Sequence, residues 1–184
     1  MVRVAPQARR DVNDAPLIVT AVLPPDLHRW ATRLRTAHFP PDRNFLEAHV
    51  TLFHALPPQY EQEVRDALAV EARECAPVAA RLEGVLSLGG GTALAIGSPA
   101  MIELRDRMAE RFHGLLTGQD QHRPRLHVTV QNKVTASEAK ALQAELGTAI
   151  EPRDFAFPAL ALQRYRGGPW EAVRGYPFRG RARR

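Results

Sequence analysis

The sequence has little of several features that would assign a protein to a particular class. It contains one cysteine, Cys75, which excludes an internal disulfide and is typical of a reducing compartment. No stretch approaches the roughly 18 consecutive apolar residues that a membrane helix requires. Residues 1–14 also lack the apolar core of a signal peptide. We therefore expect a cytoplasmic protein that has no membrane partner.

Excess charge is also missing from most of the chain. Three arginines and two aspartates in residues 1–14, together with four arginines and no acid in residues 179–184, account for the whole formal net charge of +5. Residues 15–178 are therefore formally neutral. Short basic arms of this kind can contact nucleic-acid phosphates, or they can simply be solvated tails. Charge alone thus does not indicate a nucleic-acid partner.

Strand and helix patterns alternate along the chain, and no segment of linker composition separates its two halves. We predict strands at 16–23, 49–53, 78–88, 92–96, 125–130, 155–163 and 170–178, and helices at 26–37, 59–75, 99–116 and from about 137 to 146. Ser98 is the expected cap of the third helix, and residues 117–124 are expected to form a loop. This order predicts one α+β domain of two related lobes at 15–178, between a flexible leader at 1–14 and a basic tail at 179–184.

One short motif occurs in both halves. The tetrapeptide His-Val-Thr-Leu at residues 49–52 recurs as His-Val-Thr-Val at residues 127–130. Alternate side chains of a strand share a face, so the histidine and threonine of each motif point one way and the two apolar residues point toward the core. The short pattern is weak by itself. Its repetition on two predicted strands indicates a cleft lined by both motifs.

These residue types are suited to the chemistry of phosphate esters. Cleaving a cyclic phosphodiester requires a base that activates the attacking oxygen and an acid that protonates the leaving oxygen. Histidine suits both roles because its ordinary pKa, near 6.5, is close to neutral pH. We therefore predict His49 and His127 as the catalytic pair, with Thr51 and Thr129 as phosphate-binding residues. No cluster with metal-ligand spacing occurs, so we predict neither a metal nor a cofactor.

Through these motifs the sequence resembles the two-histidine (2H) phosphoesterase superfamily, and within it the 2′-5′ RNA ligase-like and cyclic phosphodiesterase group. The resemblance covers about residues 15–178, including the opening apolar strand and a closing segment with Trp170 and Tyr176-Pro-Phe178. It implies a bilobal α+β fold with pseudo-twofold symmetry, in which two antiparallel sheets form a central cleft and the helices pack outside.

The same resemblance implies a function and roles for the motif residues. Members of the family typically open 2′,3′-cyclic phosphates, and some join or cleave 2′-5′ linked RNA ends. The partner implied for this chain is an RNA terminus or a small nucleotide that carries a cyclic phosphate. His49 would then protonate the leaving oxygen, and His127 would activate water.

Three further residues are candidates for substrate contact. Arg125 lies two residues before His127 on the predicted strand and so shares its face, where its guanidinium can contact a phosphate. Tyr165 and Arg166 precede a Gly-Gly-Pro turn and can border the cleft, where the aromatic ring can stack on a base. A plain surface or turn role stays open for all three. His54 and His122 each lie five residues from a motif histidine, an odd offset, and we interpret both as loop residues.

Two alternative functions remain open from the sequence. One is a binding module that holds an RNA end or a nucleotide without turnover. The other keeps the chemistry but changes the ester, for example to an ADP-ribose cyclic phosphate. The sequence does not indicate an oligomeric state, and it does not distinguish hydrolysis from ligation.

Overall fold

A computed structural model describes residues 14–181 of the chain. The predicted leader lies outside the described residues except for its last position, and so do the last three residues of the predicted tail. The first two residues of that tail are bonded to the second helix. The backbone N–H of Arg179 donates to the Ala72 carbonyl at 2.8 Å, and that of Gly180 donates to the Cys75 carbonyl at 2.9 Å.

The described residues form strands and helices in the order β1 (Leu17–Val22), α1 (Pro25–His38), β2 (Val50–Leu56), α2 (Glu61–Glu74), β3 (Val78–Ser87), β4 (Gly91–Gly97), α3 (Pro99–Arg111), α4 (Gly118–Gln121), β5 (His127–Asn132), α5 (Ala136–Ala149), β6 (Arg153–Phe157), β7 (Ala159–Tyr165) and β8 (Trp170–Pro177). Single 3₁₀ turns at Pro41–Arg43 and Pro58–Tyr60 precede β2 and α2.

The strands form two antiparallel sheets of four strands each, with the orders β2-β1-β7-β8 and β5-β4-β3-β6. The unit β1-α1-β2 in the first sheet corresponds to β4-α3-β5 in the second, which is the expected internal symmetry. This arrangement confirms the predicted α+β fold of two related halves with helices packed outside. Both motif strands, β2 and β5, lie at the edge of their sheet, so each presents a side that its own sheet leaves unpaired.

Local signals explain where the helices begin. The side chain of Ser98 accepts a hydrogen bond from the Met101 N–H, which confirms the predicted cap of α3. Thr135 and Glu138 form a reciprocal capping box at the start of α5. A proline occupies the first turn of α1, where its missing N–H leaves no bond unmade.

A single hydrophobic core extends through both halves of the molecule. The apolar residues of the two motifs belong to it: Val50, Leu52, Val128 and Val130 are each at most 1% exposed. Burial of these side chains fixes which way each motif strand faces, because slipping a strand by one residue would turn its apolar set to the outside.

Three elements differ from the sequence-based expectation. The predicted strand at 155–163 is divided at Pro158 into β6 and β7, which belong to different sheets. Proline has no N–H to donate to a ladder, so it separates the two pairings. Helix α3 ends at Arg111 rather than near Leu116, and the predicted loop at 117–124 contains the short helix α4. Within residues 14–181, none of the helices has the length and apolar character needed to cross a membrane.

Candidate active site

The two motif histidines make the same hydrogen bond in both halves. His49 directly precedes β2, and its Nδ1 lies 2.7 Å from the carbonyl oxygen of Glu47. His127 opens β5, and its Nδ1 lies 2.7 Å from the carbonyl oxygen of Arg125. A carbonyl oxygen can only accept, so Nδ1 carries the hydrogen in each neutral ring. Both Nε2 atoms are therefore left to exchange a proton with a substrate.

The motif threonines share the exposure of their histidines. Thr51 and Thr129 are half-buried, as His49 and His127 are, whereas the apolar residues between and after them are fully buried. This alternation is the one expected from strand geometry. The two imidazoles and two hydroxyls therefore lie on the side of β2 and β5 that faces away from the core.

A buried arginine of α1 joins the two motif segments. Arg35 is 4% exposed; its Nε donates to the Leu46 carbonyl at 2.8 Å, and its Nη1 donates to the Thr129 carbonyl at 2.8 Å. Its guanidinium also lies over the ring of Phe39, 4.1 Å from the centroid. One rigid side chain thus holds the loop that leads to His49 and the backbone of the second motif at a fixed separation.

Burial also determines the charge state of the site. It lowers the pKa of His49 to about 4, partly opposed by the hydrogen bond to the Glu47 carbonyl, and the positive charges of Arg35, His127 and His54 lower it further. Burial lowers the pKa of Arg35 to about 10, so this side chain still carries its charge at neutral pH. The site therefore combines a neutral His49 with a buried cation, Arg35, at neutral pH.

An aromatic pocket opens beside the first histidine. Trp170 packs against His49 with ring centroids 4.5 Å apart and planes inclined by 54°. The pocket has a volume of about 290 Å³, and Phe45, which is 59% exposed, lines it together with Trp170. The ring of His28 and the carboxylate of Glu47, 3.5 Å apart, lie at the same pocket. A planar aromatic group in this pocket could pack against the apolar rings of Trp170 and Phe45.

The three further candidates for substrate contact differ in their positions and hydrogen bonds. Tyr165 is directly opposite Trp170 on the neighbouring strand, so it shares the face that carries Trp170. Arg166 donates to Glu171 within the β7–β8 hairpin. Arg125 is exposed and lies before β5, which begins only at His127, and its backbone carbonyl serves the second histidine. Their contact with substrate stays a prediction.

Sequence reasoning missed three residues that the structure brings to the site. Arg35 follows Leu27 and Ala31 at intervals of four, so a charged residue on the apolar stripe of α1 was the available signal. Trp170 was noted only as part of the family pattern. His54, interpreted as a loop residue, lies within β2. Among residues 14–181, no three or more His, Cys, Asp or Glu side chains converge as metal ligands.

Comparison with known proteins identifies the family. Residues 23–169, well over half of the chain, match the profile of the 2′-5′ RNA ligase superfamily. The chain belongs to the 2′-5′ RNA ligase superfamily. No curated protein sequence matches it.

Solved structures similar to this superfamily member share its fold at low sequence identity. The protein TT0787 of Thermus thermophilus aligns with a TM-score of 0.63 and 17% identity, over 90% of this chain and 98% of its own. Escherichia coli LigT, solved in complex with 3′-AMP, aligns with a TM-score of 0.61 and 15% identity, over 90% and 98%. A structure described as a phosphoesterase aligns with a TM-score of 0.58 and 16% identity, over the same shares. The likeness covers both sheets and extends over nearly the whole of each relative.

Replacing Arg35 by lysine tests the link between the motif segments. A single ammonium cannot reproduce the planar fork that bonds both carbonyls, so one buried carbonyl loses its partner. We expect Arg35→Lys to lower the free energy of unfolding in urea by about 1–3 kcal/mol. Arg33→Lys, an exposed position on the same helix, is the matched control. Equal stabilities for the two variants would contradict the proposed link.

The pH dependence of stability tests the burial of His49. Its folded-state pKa of about 4 lies below the ordinary value of about 6.5, so the unfolded chain binds more protons between these pH values. The contribution is fully present above about pH 6.5 and is lost as the pH falls toward 4. Between about pH 7 and pH 5, wild type should lose on the order of 1–2 kcal/mol more unfolding free energy than His49→Gln. The unfolding free energies would be measured by urea denaturation at both pH values. An equal loss for wild type and His49→Gln would show that His49 is not desolvated.

Proposed function

We propose that the protein is a phosphoesterase that opens 2′,3′-cyclic phosphates of RNA termini or small nucleotides by two-histidine acid–base catalysis. The observation that carries the proposal is the matched pair of histidines on facing edge strands, each with Nδ1 bonded to the carbonyl two residues earlier. Membership of the superfamily and the likeness to LigT, which was solved with 3′-AMP, ATP and NADP⁺, support a nucleotide substrate.

The reaction needs two proton transfers, and the two Nε2 atoms supply both. One neutral imidazole removes a proton from water as the water oxygen attacks phosphorus. The other, protonated, donates its proton to the ribose oxygen as the bond from phosphorus to that oxygen breaks. The hydroxyls of Thr51 and Thr129 donate to the non-bridging oxygens, on which charge accumulates in the transition state.

The aromatic pocket supports an assignment of these roles. A nucleoside that lies against Trp170 and Phe45 is on the His49 side of the phosphate. The leaving oxygen belongs to that nucleoside, so we assign His49 as the acid and His127 as the base that activates water. This agrees with the roles that the family resemblance implies.

The low pKa of His49 is compatible with an acid role, because a bound substrate changes its surroundings. A phosphate monoanion beside the ring favours the charged imidazole and raises its pKa, as any close opposite charge does. His49 therefore takes up its proton when the substrate enters. Activity should consequently decline as the pH rises through this raised pKa.

Single substitutions of the two histidines test the chemistry. With 2′,3′-cyclic AMP as substrate, His49→Ala and His127→Ala should each lower kcat/KM by a factor of about 10² or more, because each variant lacks one proton transfer. His113→Ala, which changes an exposed histidine after α3, should leave turnover unchanged. Excess EDTA should have no effect on the wild-type rate.

The other outcomes of this experiment have defined meanings. Activity that survives in both histidine variants would exclude acid–base catalysis by this pair. A wild-type protein that binds the cyclic nucleotide without turnover would indicate the binding module. Turnover of ADP-ribose 1″,2″-cyclic phosphate in preference to 2′,3′-cyclic AMP would change the substrate and keep the chemistry.

An activated ester distinguishes the acid from the base. The leaving group of bis(p-nitrophenyl) phosphate departs without protonation, so the general acid becomes dispensable. We expect His49→Ala to retain much of the wild-type rate on this ester, whereas His127→Ala stays inactive. The reverse pattern, measured as nitrophenolate release, would exchange the two roles.

A further inference from the structure

A third histidine belongs to the cleft face of β2 because the strand is irregular. Thr51 pairs with Thr20 of β1, and Phe53 pairs with the adjacent Val19, so Leu52 is an extra residue. Adjacent residues of β1 point to opposite faces, which puts Phe53 on the core face and returns His54 to the face of Thr51. The odd offset of five that argued against His54 in the sequence is therefore cancelled by the bulge.

His54 also contributes to the charge environment of His49. A positive charge on His54 is one of the influences that lower the pKa of His49. His54 lies three residue steps along the strand from Thr51, which spans roughly 10 Å or less because the bulge shortens the strand. His54 is thus close to the scissile phosphate without occupying its position.

A buried aspartate of α4 orients the His54 ring. The Asp120 side chain is 1% exposed, and its Oδ1 lies 3.0 Å from Nδ1 of His54. Burial alone would raise the pKa of Asp120, but hydrogen bonds from the ring and backbone of His54 and from the Ala55 N–H outweigh it and hold the pKa below its usual value. An ionised carboxylate can only accept, so Nδ1 carries the hydrogen.

Backbone N–H groups of β2 already stabilise the buried Asp120 carboxylate, so the bond from the His54 ring is not needed for that purpose. A second register shift lies at the end of β2, where the Asp120 carboxylate accepts from the backbone N–H groups of His54 and Ala55 at 2.9–3.0 Å. Any residue other than proline at position 54 retains the backbone N–H that donates to Asp120. The imidazole is instead 41% exposed, and within residues 14–181 its Nε2 has no hydrogen-bond partner.

The other half carries a different residue at the equivalent place. Val130 is the extra residue of β5, since Ala93 pairs with Thr129 and Thr92 pairs with Gln131. Asn132, five residues after His127, therefore corresponds to His54. An amide is neutral at every pH, whereas an imidazole bonded to a carboxylate can hold a proton and bind an anion. The two ends of the cleft thus differ in charge capacity.

We propose that His54, oriented by Asp120, forms a second anion subsite that binds a phosphate adjacent to the scissile one on the same nucleotide or RNA end. The Nε2 atom donates to this phosphate, and the ionised carboxylate balances the proton that the ring then holds. The inference rests on the proposed function only in placing the first phosphate between the two motifs. It makes a 5′-phosphorylated nucleotide a better ligand than its unphosphorylated counterpart.

Binding of two stable ligands tests this subsite without turnover. Isothermal titration should show that wild type binds adenosine 3′,5′-bisphosphate about tenfold more tightly than 3′-AMP, the gain expected for one charge-assisted hydrogen bond. His54→Asn should bind both ligands equally, because its amide keeps the bond to Asp120 but has no group at the position of Nε2. His113→Asn is the matched control and should retain the tenfold preference.

Other results would overturn the subsite. Equal binding of the two ligands by wild type, failure to bind either, or a preference that persists in His54→Asn would each do so. Far-ultraviolet circular dichroism and urea curves of His54→Asn should match those of wild type, which separates a lost subsite from a lost fold. If wild type does not turn over 2′,3′-cyclic AMP but still binds the bisphosphate more tightly, the proposed function would be refuted and the subsite would be supported.

Discussion

The cleft depends on buried charges that cross from one half of the molecule to the edge strand of the other. Arg35 of α1 donates to the backbone of β5, and Asp120 of α4 accepts from the backbone of β2. A buried charge is stable only while its partners remain in place, because losing one leaves a desolvated ion. Sliding one motif strand past the other would break these bonds. The separation of the two histidines is therefore set by ionic groups that lie outside both motifs.

Most of the fold could be predicted from the alternation of apolar residues in the strands and from the residues that cap the helices. The His-Val-Thr repeat predicted both motif strands and the face that each presents, and Ser98 predicted the start of α3. Pro158 was also readable as an interruption, since a proline is disfavoured inside a central strand, but the run around it was apolar enough to be taken as one strand.

The remaining site residues depend on contacts that local patterns do not contain. A bulge at Leu52 exchanges the faces of Phe53 and His54, up to the second register shift before Leu56, and no residue type in β2 signals it. Trp170 packs against His49 from a strand that is distant in the sequence. Arg35 donates to two carbonyls from different parts of the chain. Such features follow from how the sheets pair. Arg35 could have been identified from the sequence, because it lies on the apolar stripe of α1 and a buried arginine needs hydrogen-bond partners.

The edge position of β2 and β5 has a consequence for the behaviour of the protein in solution. An open strand edge invites another chain to add to the sheet, and repeated addition leads to aggregates. Both motif strands are bulged, and several of their backbone groups are engaged by side chains such as Arg35 and Asp120. These irregularities deny an incoming strand a continuous ladder. The same departures from ideal sheet geometry that turn His54 toward the cleft thus also protect two unpaired strand edges from pairing with another chain.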